Sequence, residues 1–230
     1  MALFQSIWDS HLPPHEKHAE RLAHEAIVVI SAAAETTSRA LSITMFYLLS
    51  NRQILSQLQD EIQKAMPNSS NLPSWKELEE LPYLVATVKE ALRISAMITS
   101  RMPLMAHTDL IYKDWTIPAM TPTSMTIHDI LLDPNIYENP NVFDPDRWLV
   151  ENPPSESYFV PFGKGTRMCQ GMRFAYTELY LVLTTLLRRY EFQLHDTFRE
   201  RDIESVRDCF IGEPHPESFG VRVKMVGKRA

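Results

Sequence analysis

The sequence predicts one mainly α-helical domain with small β-sheets, spanning residues 1–230. Three observations predict it. Apolar residues recur at helical spacing from about His15 to Ser50, with no proline or glycine interrupting them. A second strong apolar helix runs from Gly171 to Arg189. The β-branched and aromatic runs between and after these helices are too short to build anything larger than hairpins.

In the long helix, Leu22, Ala26, Val29, Ile30, Ala33, Thr37, Ala40, Leu41, Thr44 and Leu48 share one face. Asn51 restarts a shorter amphipathic helix that ends near Ala65, where Pro67 and the polar run after it form a loop. Ser74 can cap a short helix through Glu80, with Glu77 at the capping-box position. Pro82 suits the first turn of the next helix, Tyr83 to about Ser95. Met102–Ala106, Leu110–Tyr112, Trp115–Ile117 and Thr123–Ile127 read as short strands, and Lys113-Asp114 as a tight hairpin turn. The segment 133–161 is rich in proline and polar residues, and an ordered loop of that length usually has a task. The chain ends in an expected strand, 221–226, followed by a solvated tail at Lys228 and Arg229.

A length of 230 residues allows one domain with its own core. A formal charge of −6 argues against nucleic acid as a partner. Two cysteines, Cys169 and Cys209, cannot make a disulfide framework, so a reducing, intracellular compartment is expected. The apolar run from Ala26 to Ala34 stops at Glu35, short of a membrane span, so no transmembrane segment is expected. No signal peptide is expected either, because Pro13 to Lys17 break the start too soon.

Four groups of residues carry chemistry. Phe162 to Gly171 reads F-x-x-G-x-R-x-C-x-G and runs directly into the last helix. A thiolate at Cys169 has a helix N-terminus behind it and Arg167 two residues before it, both of which favour the anion that ligates a metal. Gly163 and Gly165 let this loop turn sharply and direct N–H groups at the sulfur. In the long helix, Ala32-Ala33-Ala34-Glu35-Thr36-Thr37 sets an acid and an alcohol side by side among small residues. Such a pair can hold water and pass protons, and a threonine there can bond the carbonyl four residues back. Glu90 and Arg93 lie at i and i+3 on one helix face, and Arg147 stands in Phe143-Asp144-Pro145-Asp146-Arg147-Trp148. His107, His128 and His195 have no second ligand at zinc-like spacing, and Cys209 reads as packing.

In this order and at these spacings the motifs resemble those of the cytochrome P-450 family, the heme-thiolate monooxygenases. The resemblance runs from the long helix to the last strand and implies the C-terminal portion of that fold. The family's N-terminal half, with its membrane anchor and early helices, is expected to be lacking. The texture of 112–118 and 175–181 looks most like fungal members that oxidise terpenoids and other secondary metabolites. By resemblance, Cys169 is the axial ligand of heme b (iron protoporphyrin IX), with Phe162, Arg167 and Gly171 beside it. Arg101 and Arg167 meet the propionates, although Arg101 also reads as a solvated loop arginine. Glu35 and Thr36 serve oxygen activation; Ala33 stands where the family most often has glycine, which leaves the size of the local helix distortion open. Glu90, Arg93 and Arg147 form a buried structural network. Ile27, Ser31, Ala34, Ile98, Thr99, Phe210 and Ile211 contact substrate.

The implied reaction inserts one oxygen atom of dioxygen into a small apolar substrate. Electrons come from NADPH through a separate NADPH–cytochrome reductase, since no nucleotide-binding glycine motif occurs here. Members of this type sit on the cytosolic face of the endoplasmic reticulum. Two other readings stay open: a truncated remnant that does not hold heme, and a helical interaction module with an incidental thiol.

Overall fold

The computed structural model describes residues 3–229. Its helices are α1 (Leu3–Trp8), α2 (Ala19–Ser50), α3 (Arg52–Ala65), α4 (Trp75–Leu78), α5 (Pro82–Ser95), α6 (Ile127–Leu131) and α7 (Met172–Arg189). Three antiparallel two-stranded sheets accompany them. They pair β1 (Leu110–Tyr112) with β2 (Trp115–Ile117), β3 (Tyr190–Leu194) with β6 (Val223–Lys228), and β4 (Arg207–Cys209) with β5 (Ile211–Glu213).

Local signals account for most of the boundaries. The Asn51 side chain accepts from the backbone N–H groups of Gln53 and Ile54, which ends α2 and starts α3. Ser74 and Glu77 close a reciprocal capping box on α4. Pro82 opens α5, whose first N–H groups, of Tyr83 and Leu84, donate to Glu61 on α3 at 3.0 and 2.8 Å. That carboxylate complements the positive end of α5 from a neighbouring helix.

The core lies among α2, α3, α5 and α7. Leu48, Leu58, Ile62, Leu84, Leu183 and Leu187 are almost completely removed from water there. Only the C-terminal half of α2 contributes, through Ala40, Met45 and Leu48, while Ile43 and Phe46 on the same half pack in a smaller cluster against Ile203. Its N-terminal half exposes Ile27, Val28, Val29 and Ile30.

The structure corrects several expectations. The long helix begins at Ala19, because Pro14–Glu16 form a separate 3₁₀ turn and the His18 ring caps Arg21 N–H. Helix α2 is long and apolar enough to cross a membrane by length and composition alone, contrary to the reading from the run that stops at Glu35. Glu35 interrupts the apolar run without interrupting the helix, and the buried C-terminal half is anchored in the core. Thr123 makes a single bridge with Leu104, and Ile127 starts a helix instead of ending a strand. The last strand begins at Val223 and includes Lys228, which pairs with Tyr190. Arg229 N–H donates to Arg189, so these two residues are sheet edge, not solvated tail.

Candidate functional site

The cysteine loop is shaped by its backbone. Gly163 and Gly165 take φ of +69° and +81°, left-handed conformations that side chains disfavour. Cys169 N–H donates to the Phe162 carbonyl at 2.9 Å and Met168 N–H to Gly165 at 3.2 Å. This folds the loop back so that Cys169 emerges exposed two residues before Gly171, the N-cap of α7. A Cβ on Gly171 would lie 3.9 Å from the Cys169 sulfur. The Phe162 ring turns inward onto Tyr176 of α7, with centroids 5.3 Å apart. The expected convergence of N–H groups on the sulfur does not occur: among the described residues Cys169 Sγ accepts no hydrogen bond, and the loop's N–H groups and side chains, Lys164 on Glu156 among them, donate to backbone carbonyls instead.

The irregular segment 133–161 is held by one carboxylate. Glu90, Arg93 and Arg147 are 0, 0 and 9% exposed. Glu90 accepts from Arg93 Nε at 2.9 Å and Nη2 at 2.7 Å, from Arg147 Nε at 3.1 Å, from Trp148 Nε1 at 3.0 Å and from the Asp144 backbone at 3.0 Å. The two guanidinium groups spend their other N–H groups on carbonyls of Leu131, Glu138 and Val142. Arg93 stacks on Tyr137 and Lys89 on Trp148. The i,i+3 pair is thus the seed of a network in which both oxygens of the buried Glu90 carboxylate are hydrogen-bonded, Oε1 three times and Oε2 twice. The indole of Trp148 and the Asp144 amide are members that sequence reasoning missed, although both flank Arg147 in the chain.

On α2, Thr36 Oγ1 donates to the Ala32 carbonyl at 2.8 Å, and the helix continues unbroken through Ala33. Glu35 is exposed and lines a cavity with Arg39, Cys209, Phe210, Ile211, Gly212, Glu213 and Pro214. Arg39, one turn after Glu35, donates to the Ile203 carbonyl at 3.1 Å. Burial lowers its pKa, against the opposing pull of Glu35 and Glu213. Its spacing from Glu35 was the available signal for it.

The structure brings four of the expected substrate contacts together. Ile98 bridges Ile211, and Thr99 N–H donates to the Phe210 carbonyl at 3.2 Å. Phe210 occupies the apex between β4 and β5, and Ile211 belongs to β5 instead of the turn. Ile27, Ser31 and Ala34 are not enclosed; all three are exposed on α2. Arg101 and Arg167 are exposed and make no ion pair among the described residues.

The donor set is suited to heme. An exposed sulfur is presented at a helix start by a loop that needs no help from it, and two arginines remain open to carboxylates. The sequence profile described as Cytochrome P450 matches residues 5–216. The chain is 43% identical to the cytochrome P450 monooxygenase sdnE of Sordaria araneosa, over 98% of this chain and 45% of that protein. It is 41% identical to the tryptophan 6-hydroxylase fscE of Fusarium equiseti, over 98% of this chain and 45% of that protein. It is 38% identical to the fusicoccadiene C-8 hydroxylase of Phomopsis amygdali, over 96% and 43%. The chain therefore spans about half the length of these relatives. The match covers nearly all of its residues, so the chain belongs to the cytochrome P450 family.

Proposed function

We propose that this chain provides the cysteine-ligand body of a heme-thiolate monooxygenase of fungal secondary metabolism. The reaction inserts one oxygen atom of dioxygen into an apolar, terpenoid-like substrate. The observation that carries the reading is the exposed Cys169 on a loop whose two left-handed glycines and inward Phe162 leave the sulfur to an outside ligand. Cys169 would hold the iron of heme b, Arg101 and Arg167 its propionates, and Phe162 and Gly171 its proximal side. Bound there, heme supplies dioxygen activation, and thiolate donation favours O–O cleavage.

The remaining roles belong to the chain. The Thr36 hydroxyl spends its hydrogen on Ala32, which leaves its oxygen free to accept from a proton-donating water. Glu35, exposed beside it, can relay that proton from solvent. The wall formed by Ile98, Thr99, Phe210 and Ile211 excludes water from the substrate and orients it. The Glu90 network keeps the segment before the cysteine loop fixed. Electrons would come from NADPH through a reductase docking on the exposed cations Lys164 and Arg173 beside the loop, at the cytosolic face of the endoplasmic reticulum.

The test is heme titration of the chain, followed by the reduced carbon-monoxide difference spectrum of the wild type and of Cys169→Ser. The expected result is a thiolate-type Soret band that the serine variant loses while its fold persists, because an alcohol is too weakly acidic to replace the thiol. An unchanged band in Cys169→Ser removes Cys169 as the ligand. The exposed apolar residues Ile27, Val28 and Ile30 favour a second reading, a body that binds a partner and holds no heme. Absence of any heme uptake supports that reading.

A further inference from the structure

The exposed residue Asp208 gathers three hydrogen bonds on one carboxylate oxygen. Its Oδ1 accepts from Thr99 Oγ1 at 2.7 Å, from Ser100 Oγ at 2.7 Å and from the Phe210 backbone at 3.1 Å. The hydroxyls belong to the segment after α5 and the amide to the apex of the β4–β5 hairpin, so one carboxylate spans two stretches of chain more than a hundred residues apart. These bonds, from Ser100 and then Thr99, hold the Asp208 carboxyl below the usual carboxylate range.

Neither hairpin closure nor packing requires this arrangement. The open end of the hairpin is already joined by Arg207 and Glu213, 2.6 Å apart, and by Val206 N–H donating to the Glu213 carbonyl. Gly212 N–H donates to Met97, and the approach is so close that a Cβ on Gly212 would meet the Thr99 methyl at 2.8 Å. Asp208 acts instead at the apex. Phe210 sits there at φ +76°, a strained conformation for an aromatic residue, and its amide is turned back onto Asp208. The same apex closes one side of the cavity whose other side is Glu35 and Arg39 of α2.

We propose that Asp208 is a positioning residue for ligand recognition: it locks the 97–100 segment to the Phe210 apex so that Ile98 and Phe210 form one fixed wall. The role concerns binding selectivity, and it rests on the reading of this wall as the substrate side of a heme pocket. The substitution Asp208→Asn keeps a neutral oxygen in the same place, whereas Asp208→Ala removes all three bonds and leaves the two segments joined only by the Thr99–Phe210 and Gly212–Met97 backbone bonds, with Arg207 and Glu213 keeping the hairpin closed.

The test uses the full chain and the variants Asp208→Ala and Asp208→Asn. Amide hydrogen exchange should speed up at least about tenfold at Thr99 and Phe210 in Asp208→Ala, stay unchanged at Val206, and return most of the way in Asp208→Asn. In the heme-loaded chain, imidazole and 4-phenylimidazole are the probes, since the first reports the iron alone and the second adds a ring against the wall. Asp208→Ala should weaken 4-phenylimidazole several-fold relative to imidazole, and Asp208→Asn should restore the ratio. Unchanged exchange at Thr99 and Phe210 overturns the clamp. Faster exchange with an unchanged affinity ratio overturns its role in recognition, as does an Asp208→Asn variant no better than alanine. A chain that takes up no heme refutes the monooxygenase reading and with it the recognition role, while the exchange data still decide the clamp. If Asp208→Ala failed to fold, Thr99→Val combined with Ser100→Ala would remove the two hydroxyl bonds and leave the Phe210 amide on Asp208, so faster exchange is then expected at Thr99 alone, with the affinity ratio read as before.

Discussion

Glu90→Ala removes the one anion on which two buried guanidinium groups, an indole N–H and a backbone N–H converge. The side chain is 0% exposed, so water cannot replace it without opening the body between α5 and the 133–161 segment. Breaking a buried ion pair by deleting one partner costs about 3–5 kcal/mol, because the other charge is stranded. Here Arg93 and Arg147 are both stranded, and Trp148 Nε1 loses its acceptor as well, so the upper part of that range is expected. Against a typical stability of about 5–15 kcal/mol this is a large fraction. For a chain of this length it corresponds to a melting point lower by roughly 6–20 °C. Charge counting also predicts a ranking. Arg147→Ala leaves the neutral Glu90–Arg93 pair intact and should cost clearly less, although Arg147 also holds Glu138 and Val142. The assay is urea unfolding followed by tryptophan fluorescence, to which Trp148 at the network contributes. A Glu90→Ala cost below about 1 kcal/mol, or an Arg147→Ala cost as large as that of Glu90→Ala, refutes the reasoning.

Other consequences are open to measurement. Gly212→Ala places a methyl 2.7 Å from Ser205 Cβ and 2.8 Å from Thr99 Cγ2, an overpacking expected to cost about 1–3 kcal/mol; an unchanged melting curve would show that the hairpin yields freely. The Asp202 carboxyl is pushed up by burial, but hydrogen bonds from Arg201, Ser218 and the Phe198 backbone outweigh this and hold it at about 2. Its stabilisation is therefore complete above about pH 4 and disappears as the pH falls toward 2, and Asp202→Asn should flatten the stability–pH curve in that window. Thr36→Ala should leave stability within about 0.5 kcal/mol, since it loses only a back-bond to Ala32. In a heme-loaded form it should divert oxygen to hydrogen peroxide, read as product formed per NADPH consumed. Thr37→Ala is the control, and normal coupling in both variants removes the proton-delivery role from this segment.

The elements legible from sequence are those whose causes lie within a few residues. Asn51, the Ser74–Glu77 box, Pro82 and Gly171 each act on the helix they adjoin, and Lys113, at φ +54°, turns the β1–β2 hairpin beside its own strands. The spacing of Phe162, Gly165, Arg167, Cys169 and Gly171 was readable for the same reason, since the loop is closed by its own backbone bonds. Glu90 and Arg93 were visible as a pair, because i,i+3 proximity is a local property of a helix. That the pair is wholly buried, and that Trp148 and the Asp144 amide complete it, was decided by tertiary packing, for burial depends on chain that returns from more than fifty residues away. The same holds for Glu61 at the start of α5, for Asp208 between two distant segments and for Arg39 bound to Ile203. In each case one side chain pairs with groups that no local periodicity connects to it: backbone for Glu61 and Arg39, the Thr99 and Ser100 hydroxyls for Asp208. Only the fold also decided which half of α2 is core: its apolar pattern continues through both halves, but α3, α5 and α7 cover only the second.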